Sequence, residues 1–268
     1  MQQKVNIYTG FSNHGGSTLF FIDLTNRLNE VGYDVTLYGP DDYHLDKCKS
    51  GKLTNTLDLN QEDIIIISHL LPDMGRINAK LKILSCHEMD HNPLKQLDCN
   101  DFDLIQYVSE HQRIWQDIDH PYKIIPPFVD RIEPNIIDGR NIAGIIGHVH
   151  EHKQIHLAIE MALRDGCDQV LIYGGLGNLD YFYNSVFPLL DGEKVKYCGA
   201  CYQKQEMFDS FDVLYSASKS ETYSYVVSEA LFAGKKVVVP DGCEYLNCRR
   251  EFDNEKLMSE WIEVLKGD

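Results

Sequence analysis

The stretch "KVNIYTGFSNHGGSTLFFIDLTNRLNEVGYDVTLYGP", residues 4–40, decides the fold class. Its opening, "KVNIYTG", is rich in Val, Ile and Tyr and reads as a buried strand. A glycine loop follows, and then "STLFFIDLTNRLNEVG" places Phe20, Leu24, Leu28 and Val31 at helical spacing, with Gly32 as the C-terminal cap. "DVTLYGP" is a second strand, closed by Gly39-Pro40. A strand, a helix and a strand within so few residues form a βαβ unit. Such units predict a mostly parallel sheet covered by helices.

The same rhythm runs outward from this unit. "DIIIIS", "KILSCH" and "LIQYVS" are further short apolar strands. "KIIPPFVDRIEPNIIDGRN" then breaks the pattern, and its prolines make residues 126–141 the expected interdomain linker. Beyond it, "IAGIIGH" is a strand and "KQIHLAIEMALRDG" a helix with Ile155, Ala158, Ile159, Ala162 and Leu163 on one face. "QVLIYGG", "VKYCG" and "DVLYSAS" are strands, "SYVVSEALFAG" is a helix, and "KKVVVP" is a last strand. "EFDNEKLMSEWIEVLKG" is an amphipathic helix anchored by Leu257, Trp261 and Leu265. The expected division is an N-terminal domain over 1–130, a second domain over 131–249 and a C-terminal helix over 250–268. The expected architecture is α/β, two Rossmann-like doubly wound parallel sheets facing a cleft, with ligands at strand carboxyl ends.

Composition narrows the function. The 268 residues carry 41 acidic and 25 basic side chains, a formal charge of −16. That balance disfavours a large phosphate-backbone footprint and leaves room only for a local basic groove. The densest basic cluster, Lys47, Lys49 and Lys52, reads as an exposed loop. Apolar runs such as Ile64–Ile67 are far shorter than the about 20 residues a bilayer requires. "MQQKVNIYTGF" enters a strand without a charged-then-apolar leader, so a cytoplasmic protein is expected. The eight cysteines are scattered, which suits reduced thiols better than a disulfide scaffold. Cys198 and Cys201 form a C-x-x-C, followed by Cys243 and Cys248, but the second spacing is loose for zinc.

Three loops carry the candidate chemistry. "TGFSNHGGST", residues 9–18, joins the first strand to the first helix, where glycines admit a ligand to free backbone N–H groups. It is neither G-x-G-x-x-G nor an NTPase phosphate loop, which ranks NAD and ATP readings low. A tight turn without a ligand is the plain alternative. "GHVHEHKQIH", residues 147–156, holds His148, His150, His152 and His156 around Lys153 and can be read as a metal motif or as a phosphate-facing loop. "SKSETYSYVVSEALFAGKKVVV" places Glu221 before a helix and Glu229 about two turns into it. Two carboxylates so placed can accept hydrogen bonds from vicinal hydroxyls. Taken alone, the plainer reading wins, a helix-start acid and a solvated helix residue.

Taken in order, these segments resemble the retaining GT-B glycosyltransferases with an E-x7-E signature, of the glycosyltransferase family 4 type. Glu221 and Glu229 with seven residues between, followed by "ALFAGKKVVV", are similar to that signature. "HGGS" resembles the family's Gly-Gly loop, "KILSCHEMD" its strand ending in a catalytic-site histidine, and "YVSEHQRIW" its S-E-x-x-R segment. "GHVHEHKQIHLAIEMAL" stands where the family has Gly-Arg-x-x-x-x-Lys-Gly, and "LIYGGLGN" is similar to the strand and glycines that follow. The resemblance spans nearly the whole chain. It implies a GT-B fold whose C-terminal helix crosses back, and a metal-independent hexosyl- or pentosyltransferase that retains anomeric configuration, with a nucleotide-diphosphate sugar as co-substrate and no further cofactor.

The residues matching the family's motifs receive its roles by resemblance. Gly15 and Gly16 would lie against the donor diphosphate, Lys153 would be its cation, and His87 would stand near the anomeric centre. Glu221 would bind hydroxyls of the transferred sugar and Glu229 the ribose. Gly174, Gly175 and the turn Tyr197, Cys198, Gly199 would border the nucleotide. No metal ligands are implied. Two departures stand out: His148 replaces the family's arginine and Gln154 its glycine. A protonated His148, with an unperturbed pKa of about 6.5, could partly supply the missing charge. The linker reads "PPFVD" and is stiffer than the family's, and the N-terminal half is short. A glycan or small-molecule acceptor is favoured over a modified base in DNA. A non-catalytic nucleotide-sugar binder, a metal-dependent hydrolase built on the histidines and an NAD enzyme follow in that order.

Overall fold

A computed structural model describes residues 2–9, 16–38, 48, 52–54, 60–68, 74, 77–89, 99–135, 141–201, 203–241, 243 and 253–267. The chain divides into two compact units, Met1–Phe128 with Asp253–Asp268, and Val129–Phe252.

The first unit is built from β1 (Lys4–Thr9), α1 (Gly16–Glu30), β2 (Asp34–Tyr38), β3 (Lys52–Thr54), β4 (Ile64–Ser68), β5 (Leu81–Cys86), β6 (Leu104–Tyr107), α2 (Glu110–Gln116) and β7 (Tyr122–Ile124). Its seven strands lie in the order β3-β2-β1-β4-β5-β6-β7 and every pair is parallel. The central strand "IIIIS" is buried along its whole length, as a strand covered on both faces must be. Chain order reverses between β1 and β4, so the first unit's topological switch point lies at their carboxyl ends. Two expectations are corrected here. Lys52 opens β3, an edge strand paired with β2, rather than lying in a loop, while Lys47 and Lys49 fall outside the described residues. Val31 lies beyond the end of α1 and is half exposed; Gly32, at φ +98°, turns the chain there into β2.

The second unit holds β8 (Ile142–Ile146), α3 (Ile155–Arg164), β9 (Gln169–Tyr173), β10 (Val195–Gly199), α4 (Lys204–Asp209), β11 (Val213–Tyr215), α5 (Tyr225–Phe232) and β12 (Lys236–Val238). Between β9 and β10 a helical run passes from Leu179–Tyr181 through the wider turn of Phe182–Val186 to a tight turn at Phe187–Leu189, where Pro188 withholds its N–H. The parallel order β10-β9-β8-β11-β12 reverses between β8 and β11. Gly144 of β8 is required by packing. A Cβ there would stand 2.4 Å from the Phe211 ring, which fills the space beside the strand.

The linker expected over 126–141 divides between the units: residues 126–128 belong to the first, and from Val129 the described chain is anchored in the second. Ile132 is buried with Phe208, Phe211 and Leu214, and Glu133 exchanges backbone hydrogen bonds with the Gln205 amide at 3.0 and 3.1 Å.

The last helix, α6 (Asn254–Lys266), belongs to the first unit. Asp253 caps it through Glu255 and Lys256 N–H groups, and Gly267 ends it at φ +81°. Leu257, Trp261 and Leu265 are all buried as their spacing predicts, and the Trp261 ring meets Phe20 of α1 at 6.1 Å between centroids. No helix among the described residues is long and apolar enough to cross a membrane.

Trp261 is fully buried, and among the described residues its indole N–H meets no acceptor. Trp261→Ala is therefore expected to cost about 3–5 kcal/mol through the cavity it leaves. Trp261→Phe removes an unsatisfied donor along with part of the ring and should cost under about 1.5 kcal/mol. Denaturant unfolding of both variants measures the difference.

Candidate functional site

In the second unit the chemistry gathers at the carboxyl ends of β8, β9, β10 and β11. The turn after β8 and the turn after β9 are zipped by main-chain hydrogen bonds: Gly147 N to Tyr173 O, Val149 N to Gly175 O, and Asn178 N to Val149 O, each 2.9 Å. The turn after β10 joins them through Gly174 N to Gly199 O, also 2.9 Å. Gly174 adopts φ +151°, and a Cβ there would lie 1.9 Å from the Gly147 carbonyl oxygen. Only glycine admits that approach. The exposed His148 ring lies over Gly175, whose added Cβ would be 3.8 Å from Cδ2.

The segment after β11 locks onto the same loop. Lys219 N donates to His152 O at 2.9 Å, and the His152 ring bonds Ser220 O at 2.8 Å. The next residues on each side, Lys153 and Glu221, meet as an ion pair through Nζ and Oε1. Glu221 keeps little exposure and Lys153 about a third. The pair thus spans the point where chain order reverses between β8 and β11, the place where doubly wound sheets bind ligands. Gln154 follows at φ 46° and starts α3 in the left-handed region where the resemblance expects glycine. Ser224, just before α5, is also left-handed at φ 60°.

The histidines of "GHVHEHKQIH" take separate partners. His150 Nδ1 faces Glu151 and accepts from His152 N, and His156 Nδ1 bonds the Tyr181 hydroxyl at 2.7 Å. Among the described residues no group of three His, Cys, Asp or Glu side chains is arranged to hold a metal ion. Cys198 and Cys201 are free thiols. Cys198 is exposed at an irregularity in the β9–β10 pairing, and Cys248 is outside the described residues.

Glu229 is not the solvated helix acid that its position suggests. It lies on the buried face of α5 with 5% of its surface exposed. Lys204 Nζ reaches its Oε1 at 2.6 Å and Asp130 at 2.9 Å. Burial pushes the Glu229 carboxyl above the ordinary carboxylate range, against the pull of Lys204. Burial works to lower the Lys204 ammonium, but Glu229 and Asp130 together more than offset it and hold it above the ordinary lysine range. No sequence signal marked Lys204 or its pairing with Asp130, because 74 residues separate two groups that only the fold brings together.

In the first unit His87 stands one residue past β5, buried between the rings of Phe20 and Phe21 of α1 at 4.4 and 4.9 Å. The chain after it is held by α2: Gln112 Nε2 donates to Glu88 O at 3.1 Å and Gln116 Nε2 to Met89 O. "KILSCHEMD" and "YVSEHQRIW" are thereby brought together. Gly16 opens α1, and Gly15 lies outside the described residues.

No protein-family model matches the chain, and no curated protein matches it in sequence. Solved structures do match. A glycosyltransferase from Rickettsia africae is 14% identical with a TM-score of 0.70, covering 100% of this chain and 89% of its own. Anabaena HepE, solved with UDP and glucose, is 14% identical with a TM-score of 0.67, covering 99% and 91%. TarM is 17% identical with a TM-score of 0.56 over 78% of this chain, which spans 49% of TarM. The fold is therefore GT-B, with two Rossmann-like parallel-sheet units.

The buried pair gives a pH prediction. Because the folded-state pKa of Glu229 is raised, its neutral form stabilises the fold below the unfolded carboxylate pKa. That contribution is lost as pH rises through the folded value. Lys204→Met removes the opposing ammonium, so the lost stability should grow at neutral pH. Lys204 keeps 40% side-chain exposure, so a cost of about 2 kcal/mol is expected, below the ~3–5 of breaking a fully buried pair. Denaturation from pH 4 to 9 (about the carboxylate-to-thiol range) should show this slope, and Glu229→Gln should flatten it.

Proposed function

We propose that this protein is a glycosyltransferase that moves a sugar from a nucleotide-diphosphate donor with retention of configuration. The observation that carries the reading is the Lys153–Glu221 ion pair at the second unit's topological switch point. An ammonium placed there can neutralise charge developing on a leaving diphosphate, which stabilises the transition state more than the ground state. Glu221 is a hydrogen-bond acceptor beside it, suited to hydroxyls of the transferred sugar, and Glu229 is suited to the ribose. A diphosphate would share the Lys153 ammonium with Glu221 and draw the donor's two ends into register. Gly174 and Gly175, whose backbone turn is packed against Gly147 and His148, would border the nucleotide together with Cys198 and Gly199.

HepE was solved with UDP-glucose in one structure and with UDP and glucose in another, and this chain shares its fold. That likeness supports a nucleotide-sugar as the partner. In the first unit, Gly15, Gly16 and His87 are proposed to take the roles that the resemblance gives them. The reaction is proposed to need no metal and no cofactor beyond the donor. The acceptor is proposed to be a glycan or small molecule in the cytoplasm. The acidic charge makes a modified DNA base the weaker choice.

His148 keeps a second reading in view, a nucleotide-sugar binder without turnover, because a histidine stands where the resemblance expects a permanent cation. Purified chain should release nucleoside diphosphate from a nucleotide-sugar panel. Lys153→Ala and Glu221→Ala should each lower that turnover by about 10²-fold or more while the fold persists. Wild-type turnover in both variants would dispose of the assignment. Donor binding without turnover in the native chain would favour the binder. If His148 supplies charge to the diphosphate, His148→Arg should raise turnover and tighten donor binding.

A further inference from the structure

His87 is attached to a chain of hydrogen bonds whose direction is fixed at its far end. Gln106 is fully buried on β6, directly across from Ser85 on β5. Its Nε2 group donates to two main-chain carbonyls, Tyr107 O at 2.9 Å and Ile125 O at 2.7 Å. Two carbonyls can be met only by the amide nitrogen, so the side-chain orientation of Gln106 is determined and its Oε1 points at Ser85. Ser85 Oγ donates its single proton to that Oε1. The same Oγ lies 3.0 Å from His87 Nε2 and must therefore accept there. The donors run in one direction, from His87 through Ser85 and Gln106 to the Ile125 carbonyl.

We propose that Ser85 and Gln106 are positioning residues that hold the neutral His87 ring as its Nε2–H tautomer, so that Nδ1 carries the lone pair. Which nitrogen of an imidazole bears the proton follows from the hydrogen bond made by the other. Ser85 and Gln106 are both fully buried and His87 nearly so, which keeps bulk water from scrambling the relay. Phe20 and Phe21 fix the ring plane by packing on it. A group that meets Nδ1 must bring a proton, which fits a hydroxyl and not a carbonyl or a phosphate oxygen. Naming that hydroxyl as one of the sugar donor or its acceptor rests on the proposed function; the tautomer does not.

Histidine labelled with nitrogen-15 reads the tautomer directly in long-range proton–nitrogen correlation spectra, with the His87 signals assigned by their loss in His87→Gln. The native chain at neutral pH should show a protonated Nε2 and an unprotonated Nδ1. The opposite tautomer, or a ring protonated at both nitrogens, would overturn the proposal with no variant needed. Ser85→Ala should release the preference into a mixture, and Ser85→Thr, which restores a hydroxyl, should recover it. An unchanged tautomer in folded Ser85→Ala would remove Ser85 from the relay. In turnover of a nucleotide-sugar, Ser85→Ala should lower kcat by about tenfold or more with KM nearly unchanged, and Ser85→Thr should recover most of it. An Nε2–H tautomer in a chain that turns over no nucleotide-sugar would leave the relay standing and defeat the transferase reading.

Discussion

The Gly147 carbonyl oxygen occupies the place where any side chain at position 174 would begin. That approach of two backbones is the constraint on which the second unit's candidate site depends. It allows Gly147 and Val149 to bond to Tyr173 and Gly175, and Gly174 to bond to Gly199. Three strand-end turns become one surface, and main-chain groups that would otherwise lie unpaired at the sheet's edge satisfy one another. The loop carrying Lys153 is then fastened to the segment carrying Glu221 through His152 and Ser220. The ion pair is a consequence of that fastening.

The histidines illustrate how a motif changes meaning in a fold. As a string, "GHVHEHKQIH" offers alternating ligands beside an acid. In three dimensions His152 and His156 are spent on tying the loop to Ser220 and to Tyr181. They build the frame that positions the one cation of the run. Gln154 is a related case. The backbone keeps a left-handed turn although the residue is not glycine, a local strain of about 1–2 kcal/mol carried by the surrounding hydrogen bonds.

Buried polar chemistry recurs in both units, each time completed by a partner from another strand or helix. Glu229 relies on Lys204, which Asp130 holds from its other side, while His87 relies on Ser85 and Gln106. A buried carboxylate or imidazole without such partners would be costly and its protonation poorly defined. Of these supporting residues Ser85 and Asp130 fall within stretches that carry the resemblance, while Lys204 and Gln106 fall in none.

The sequence by itself determined the alternation of strands and helices, because periodicity and glycine turns are local properties of the chain. It also determined the burial of Leu257, Trp261 and Leu265, and it carried the resemblance that singled out Lys153, Glu221, Glu229 and His87. The short strands β3 and β7 escaped it, since three residues hold too little pattern to stand out from loops. Only the tertiary structure decided that Glu229 is buried and that Lys204, itself held by Asp130, attends it. It alone set the direction of the His87 relay. The physical reason is the same throughout: local preferences are written over a few adjacent residues. A hydrogen bond between Ser85 and Gln106, or an ion pair between Lys153 and Glu221, exists only after packing has closed the chain between them.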